Sequence, residues 1–186
     1  MNTQIITVTG PSGVGKTTIV GALMRARPEL SFIVSLTTRP SRPSDLPGEY
    51  RHNVTRFEFA WLDLNRDFLW TVEAHGNLYG TLRESVDEAL SHEHPSLMIL
   101  VPERVEFIRR HASGRVLSFF ILPPSEETLR ERLLRRGEDP ADIERRINDC
   151  RTWTEQAERS SIPYVFIRND GSIEDAVRQL LAHLKG

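Results

Sequence analysis

One segment constrains the fold of this chain more than any other: Gly10-Pro-Ser-Gly-Val-Gly15-Lys16-Thr17 matches the pattern G-x-x-x-x-G-K-[ST] at every fixed position. The apolar residues 5–8 before it read as a short buried strand, and a helix is predicted from about Gly15 onward. In that order, glycines allow a tight turn whose backbone N–H groups, with the free N–H groups of the helix N-terminus, point at one oxyanion. The segment therefore predicts a P-loop that binds a nucleoside triphosphate.

Lys16 is one of only two lysines in a chain that otherwise carries its positive charge on arginine. A P-loop needs a compact ammonium on a flexible stem to reach the β- and γ-phosphates, so we expect a catalytic role for Lys16. Thr17 offers a hydroxyl to Mg²⁺, which makes ATP and Mg²⁺ the expected cofactors. The expected ATP-binding residues are Gly10, Ser12, Gly13, Val14, Gly15, Lys16, Thr17 and Thr18.

Apolar runs separated by helical patterns predict an α/β fold with a central parallel sheet. The predicted strands are 4–8, 31–35, 97–101, 116–122 and 164–168. The predicted helices of this part are 16–26, 103–112, 125–136, 140–160 and 173–184. Ser125 and Ser172 are the expected N-caps of two of them, and Pro140 suits a first helical turn.

Size and composition exclude several classes of protein. The 186 residues predict one domain, and no apolar run approaches the roughly twenty residues of a membrane-spanning helix. The N-terminus lacks the pattern of a signal peptide, and a single cysteine fits a reducing cytoplasm, where we expect the protein. A net charge of −2 gives no general attraction to nucleic acid, and the sequence leaves the oligomeric state open.

Residues 36–96 interrupt the alternation and read as an insertion at the carboxyl edge of the sheet, with helices near 55–65 and 82–91. Arg39 and Arg42 stand three apart in a loop stiffened by prolines, so that both guanidinium groups could face one phosphate. Farther on, Tyr79 in a stretch flanked by glycines could offer its hydroxyl to a phosphate oxygen. A second phosphate site after a P-loop predicts phosphoryl transfer to a phosphorylated small molecule.

A group of arginines surrounds the break between two predicted helices near Gly137. A hinge lined with arginine could close over the triphosphate and stabilise charge on the transferred group. We expect catalytic roles for Arg132, Arg136 and Arg146. The other arginines here would form solvent-exposed ion pairs with glutamate.

Together these residues resemble the guanylate kinase family. The similar segments are the P-loop, 35–43, 76–81, 120–125, 135–137, 145–147 and Asn169-Asp170. The resemblance implies a three-layer P-loop fold made of a core (1–35, 91–133 and 151–186), an inserted acceptor-binding domain (36–90) and a helical lid (134–150). It also implies transfer of the ATP γ-phosphate to a phosphate monoester, GMP by family default, with Mg²⁺.

The resemblance assigns roles to residues of the matching segments. Asn169 would lie near the adenine, and Arg39, Arg42 and Tyr79 would hold the acceptor phosphate. Residues 49–52 stand where the family has a further acceptor-phosphate tyrosine, so Tyr50 or Arg51 would take its place. The complete acceptor-binding set is Ser35, Arg39, Arg42, Tyr50, Glu73, Tyr79 and Thr81.

Two departures from the family pattern concern the base. The family reads guanine with a serine and two acids, and Ser35 matches the serine. Trp70 and Val101 stand where the acids are expected, and neither can accept a hydrogen bond from guanine N1–H or N2–H₂. Glu73 or Glu103 would have to replace them.

Two alternatives to a guanylate kinase remain open. The first is the similar branch of ribose 1,5-bisphosphate phosphokinases, which lacks guanine readers and forms 5-phosphoribosyl diphosphate. Residues 48–52, 73–76 and 169–172 are similar to that branch. The second is a binding module without catalysis, against which the intact Lys16 and Thr17 speak.

Overall fold

A parallel sheet of five strands lies at the centre of the computed structural model, which describes residues 3–74, 76–135 and 137–184. In spatial order the strands are β2 (Ser31–Phe32), β7 (Ser96–Ile99), β1 (Ile5–Thr9), β8 (Val116–Ile121) and β9 (Tyr164–Ile167). All neighbours in this sheet pair in parallel, as the alternation of strands and helices predicts.

Helices connect these strands, and their ends follow the predicted caps. They are α1 (Lys16–Ala26), α2 (Arg56–Leu64), α3 (Arg83–Ser91), α4 (Pro102–His111), α5 (Glu126–Arg135), α6 (Pro140–Glu158) and α7 (Ile173–His183). The Ser172 side chain accepts from the Asp175 amide in a capping box, and Ser125 accepts from the Thr128 amide. Pro140 begins α6 behind Asp139, whose side chain accepts from the Ala141 amide.

Helices cover both faces of the parallel sheet, which gives the expected three layers. On one face, Val8 and Ile19 pack with Leu180 of α7. On the other, Met98 packs with Val105 of α4. Each of these side chains is almost fully buried, and such burial stabilises a fold by roughly 1.5–3 kcal/mol per residue.

A second sheet of four strands adjoins the first and was not predicted from the sequence. Its strands, in spatial order, are β4 (Tyr50–Arg51), β3 (Ser35–Thr37), β6 (Asn77–Leu82) and β5 (Phe68–Ala74). The prediction of one strand over 31–35 is therefore wrong: the chain pairs with β7 at 31–32 and then enters the second sheet at Ser35. An apolar run indicates burial, but it does not indicate which sheet will pair with it.

The boundaries of the acceptor-binding insertion and of the lid stay predictions. The second sheet begins at Ser35 and ends at Leu82, and α6 continues to Glu158, past the predicted end of the lid at 150. Arg136, within the predicted lid, lies outside the described residues. None of the helices in the described ranges combines the length and hydrophobicity needed to cross a bilayer.

Replacing Gly80 by alanine should destabilise the second sheet. A Cβ built there would lie 2.7 and 2.8 Å from two atoms of the Phe68 ring and 3.1 Å from Phe59, and these two rings stack with centroids 4.4 Å apart. We expect a loss of about 1–3 kcal/mol in the free energy of unfolding, measured with urea. If the clash is the cause, Phe68→Leu should cost less in the Gly80→Ala background than alone, whereas additive losses would contradict this account.

Candidate active site

The turn between β1 and α1 folds around the ammonium group of Lys16. Its Nζ donates hydrogen bonds to the carbonyl oxygens of Gly10 (2.7 Å) and Pro11 (2.8 Å). Gly15, the N-cap of α1, has a left-handed backbone with φ of 99°, and a Cβ on Gly10 would lie 2.6 Å from the Ile121 carbonyl oxygen. The turn thus needs glycine at both positions, and it brings the N-terminus of α1 to the mouth of the loop.

Burial lowers the pKa of Lys16 to about 8. The residue as a whole is partly exposed, but its ammonium group is enclosed and forms no ion pair with a carboxylate of the described residues. An enclosed cation bound only by carbonyl oxygens gains more from an arriving anion than a solvated lysine would. The loop is therefore suited to a highly charged phosphate chain.

Two distant side chains hold the P-loop in place. Asn169, buried after the end of β9, donates from Nδ2 to the Val14 carbonyl oxygen at 2.5 Å. Arg146 of α6 donates from Nη1 to the Ser12 hydroxyl at 2.8 Å. The Nε of Arg146 also lies 2.9 Å from Oε2 of Glu138, so the two side chains form an ion pair. They form no hydrogen bond, because the N–H does not point at the oxygen. The predicted lid thus touches the predicted triphosphate site through Arg146.

A cavity of about 330 Å³ joins the P-loop to the acceptor side. Gly10, Ser12, Lys16 and Thr17 line one end of the cavity. The acceptor-side residues Arg39, Arg42, Tyr50 and Tyr79 line it as well. A second cavity runs along the outside of the loop between Thr18 and Arg146. Thr17 lines both cavities, and its hydroxyl would be a ligand for Mg²⁺.

Arg39 is buried on the acceptor side, where its guanidinium contacts a carboxylate and an aromatic ring. Its two terminal nitrogens donate to the Asp45 carboxylate at 2.9 and 3.0 Å, and its guanidinium carbon lies 5.5 Å from the centroid of the Tyr50 ring. Burial opposes the charge, but Asp45 outweighs it and raises the pKa of Arg39 above its ordinary value. Burial also raises the pKa of Tyr50 far above its ordinary value, so its hydroxyl stays a donor. Tyr79 packs edge-on against Tyr50, with centroids 6.1 Å apart.

The other predicted acceptor residues are divided between the cavity and the interior. Arg42 is exposed and lines the cavity. Ser35 and Thr81 are buried, and their hydroxyls lie 2.7 Å apart in a mutual hydrogen bond. This mutual bond uses part of the hydrogen-bonding capacity of each hydroxyl, and each could still bond to an acceptor group.

The wall of the cavity away from the arginines is apolar. It consists of Trp70, Val72, Ala74, Ile99, Leu100, Val101 and Trp153. Trp70, Val72 and Ala74 alternate along β5, so the residues between them face away. Accordingly Glu73 lies outside the cavity, with a side chain 60% exposed and paired to Arg56 at 3.7 Å. Glu103 lines a separate depression beside Tyr164, so the structure brings neither glutamate to the apolar wall.

The arginines near the predicted lid differ in their contacts. Arg132 lies in the last turn of α5, partly exposed, and bonds to no described residue through its side chain. Arg130 pairs with Glu144, and Arg151 with Glu126 at 2.7 Å, as solvated pairs on the surface. Arg136, which was grouped with Arg132, lies outside the described residues.

Sequence reasoning missed two acids in the cavity, Asp45 and Glu49. Glu49 is buried, accepts from the Leu46 amide at 3.3 Å, and has a pKa raised by burial. Asp45 follows Arg42 by three residues in a proline-rich loop, and that spacing is typical of an aspartate closing a turn on a backbone amide. The signal was present in the sequence, but it did not indicate the pairing with Arg39.

Comparison with known proteins agrees with this geometry. The sequence model of the family described as guanylate kinase matches residues 2–185. A guanylate kinase of Nostoc sp. is 38% identical over 165 residues, which cover 87% of this chain and 81% of that protein. A guanylate kinase of Symbiobacterium thermophilum is 35% identical over 179 residues, or 96% of this chain and 82% of that protein.

Solved structures show the same fold. The crystal structure of guanylate kinase from Anaplasma phagocytophilum superimposes with a TM-score of 0.72 at 25% identity and covers 99% of this chain and 85% of that one. A gluconokinase from Sinorhizobium meliloti 1021, at 19% identity and a TM-score of 0.54, covers 97% of this chain and 90% of that one and shares the fold alone. With the P-loop intact and the family match spanning nearly the whole sequence, the chain belongs to the guanylate kinase family.

Proposed function

We propose that this chain transfers the γ-phosphate of ATP to the phosphate of a monoester acceptor, with Mg²⁺, in the cytoplasm. One observation carries the proposal: a single cavity is lined both by the P-loop, with Lys16 and Thr17, and by the acceptor-side residues Arg39, Arg42, Tyr50 and Tyr79. Two phosphate-binding groups that face one cavity suit transfer between two phosphates. The one cysteine, Cys150, is a free and buried thiol, which supports a reducing compartment.

Positioning and neutralisation of charge would supply the rate. An acceptor phosphate oxygen is already anionic, so the attack on the γ-phosphorus needs no general base. Lys16 would hold the β- and γ-phosphates, and Arg146, which already reaches Ser12, would neutralise charge from the lid side. Bound Mg²⁺, held at Thr17, would neutralise phosphate charge further.

The apolar wall bears on the identity of the acceptor. Guanine presents donors at N1 and N2, and the residues at the expected acid positions, Trp70 and Val101, offer no acceptor. The Trp70 indole N–H is itself a donor, buried without a partner among the described residues. A buried donor left unpaired costs about 1–3 kcal/mol, so GMP, the family default, should be a poor acceptor.

Ribose 1,5-bisphosphate is a second candidate acceptor, because its recognition needs no guanine-reading acid and residues 48–52, 73–76 and 169–172 are similar to the kinases that use it. The reaction would then form 5-phosphoribosyl diphosphate. A non-catalytic module is the remaining alternative, and the enclosed Lys16 argues against it, since an uncompensated buried charge is costly to keep without a ligand.

A panel of acceptors tests the proposal. Release of ADP is measured with ATP and Mg²⁺ and, separately, GMP, dGMP, AMP, UMP and ribose 1,5-bisphosphate. We expect turnover with at least one acceptor, and a higher kcat/KM for ribose 1,5-bisphosphate than for GMP. The variant Trp70→Glu/Val101→Asp should gain about 10²-fold or more in kcat/KM for GMP, because it restores acceptors for the guanine donors.

Controls separate the possible failures of this panel. Trp70 belongs to the buried core, so Val101→Asp alone, at a partly exposed position, is measured beside the double variant together with thermal unfolding. Efficient use of GMP by the unchanged chain would contradict the role given to Trp70 and Val101. Absence of turnover with every acceptor would leave only the binding module.

Replacing Arg39 by alanine tests the division between the two sites. Because Arg39 lines the cavity and its guanidinium bonds to Pro40 and Asp45 rather than to the P-loop, we expect the acceptor KM to rise about tenfold or more while the KM for ATP changes little. Initial rates with each substrate varied in turn give both constants. Equal losses in the two would show that the sites are not separate.

The lowered pKa of Lys16 predicts a pH-dependent affinity for ATP. The ammonium is charged in the free protein below about pH 8, and bound triphosphate should raise its pKa. Above pH 8, binding must therefore take up a proton, and affinity for a non-hydrolysable ATP analogue should fall by up to about tenfold per pH unit. Calorimetry in buffers of different ionisation enthalpy, between pH 7.5 and 9.5, measures both effects.

Two variants serve as controls for this dependence. Lys16→Arg keeps its charge throughout this range, so its affinity should be independent of pH even if it is weaker. Lys16→Met should abolish turnover with every acceptor. An affinity of the unchanged chain that stays constant to pH 9.5 would show that the free ammonium is not enclosed as described.

A further inference from the structure

The carboxylate of Asp45 accepts three hydrogen bonds on the acceptor side and lies beside the His52 ring. Both terminal nitrogens of Arg39 donate to it, at 2.9 and 3.0 Å, and the backbone amide of Arg42 donates at 2.7 Å. The Nε2 of His52 lies 3.3 Å from the same carboxylate, and its Nδ1 lies 3.3 Å from the Arg39 carbonyl oxygen. One carboxylate therefore connects the two arginines of the acceptor side, the first through its side chain and the second through its backbone.

The arrangement leaves a usable edge on Arg39. Asp45 and the Pro40 carbonyl oxygen take both hydrogens of Nη1 and one hydrogen of Nη2. The Nε–H and the second Nη2 hydrogen donate to no carboxylate or carbonyl group of the described residues, and the Tyr79 hydroxyl lies within reach of the guanidinium. These two N–H groups form the side edge of the guanidinium, which can bind a phosphate bidentately while Asp45 keeps the end.

We infer that Asp45 is a positioning residue, which fixes the guanidinium plane of Arg39 and the turn carrying Arg42 so that both present donors to one acceptor phosphate. The inference rests on the proposed function, since it assumes that Arg39 binds that phosphate. It differs from a competing role, in which Asp45 would occupy the phosphate position and have to leave. The contacts favour positioning. Asp45 accepts from the two terminal nitrogens of Arg39 and from the Arg42 amide, and a phosphate at the side edge of the guanidinium would displace none of these three bonds.

A purely structural ion pair is the other explanation. Arg39 is 5% exposed, and a buried guanidinium needs a partner whatever its function. A structural pair would lower stability when broken and would lower kcat or both KM values through general loosening. A positioning residue acts on the acceptor KM and acts through Arg39, so a double-mutant cycle separates the two explanations.

The test uses Asp45→Asn, which keeps the size of the side chain and removes its charge. Rates are measured at saturating ATP with GMP and with ribose 1,5-bisphosphate as varied acceptors, and GMP binding is measured by calorimetry. We expect the acceptor KM and the Kd of GMP to rise about tenfold, with kcat and the KM for ATP changed less than about twofold. Asp45→Glu, which keeps the carboxylate, should recover most of the loss. Asp63→Asn, on the exposed side of α2, is the matched control and should change neither constant.

The cycle with Arg39 decides the outcome. In the Arg39→Ala background, Asp45→Asn should raise the acceptor KM clearly less than it does with Arg39 present, because the part of its effect that passes through the guanidinium is gone and only the part that passes through the Arg42 turn remains. Additive effects, or an acceptor KM that falls in Asp45→Asn, would overturn the inference and leave the proposed function intact. If Arg39→Ala itself leaves the acceptor KM unchanged, the proposed acceptor site falls, and the role of Asp45 falls with it. Thermal unfolding of each variant, and the response of Asp45→Glu, exclude loss of folding as the cause.

Discussion

The enclosure of one ammonium group by main-chain carbonyls organises this molecule. Lys16 donates hydrogen bonds back to the carbonyl oxygens of Gly10 and Pro11. The turn can close around it because residue 10 is a glycine: a Cβ at this position would lie 2.6 Å from the Ile121 carbonyl oxygen. Asn169 and Arg146 then hold the same turn from β9 and from α6. Elements from three parts of the chain thus converge on a loop whose purpose is to keep a cation ready for an anion.

The two buried cations, Lys16 of the P-loop and Arg39 of the acceptor side, are stabilised in different ways. The P-loop pairs its cation with no carboxylate of the described residues, and burial of that cation lowers the pKa of Lys16. On the acceptor side, Asp45 neutralises Arg39, and the cost is avoided by pairing. A triphosphate with Mg²⁺ gains from an unpaired cation, whereas a phosphate monoester needs oriented donors more than it needs net charge. In the proposed reaction the two ends would therefore bind their phosphates differently, one with an ammonium held by carbonyl oxygens and the other with an oriented guanidinium.

The sequence could predict what local chemistry determines and little of what distant pairing determines. The P-loop and the helices that begin at Pro140 and Ser172 follow from caps and spacing, and the structure confirms them. The second sheet depends on β3 meeting β6 more than forty residues later, at Leu36 and Gly80, which no local pattern reveals. Glu73, predicted on the acceptor side, lies outside the cavity for a related reason: once β5 is known as a strand, its period of two directs Glu73 away from the face of Trp70.

In the proposed function, polar and apolar parts of the cavity would recognise different parts of the acceptor. At one end, charged donors and hydroxyls can recognise a phosphate by direction, and a wrong group there leaves buried polar atoms unpaired. At the other end, Val72, Ile99 and Val101 can exclude only by size, because an apolar wall discriminates weakly between groups of similar shape. Selection must then depend on the distance between the phosphate and that wall. In the proposed acceptor site, the Asp45 contacts would set this distance from one side, and the bulk of Trp70 would set it from the other.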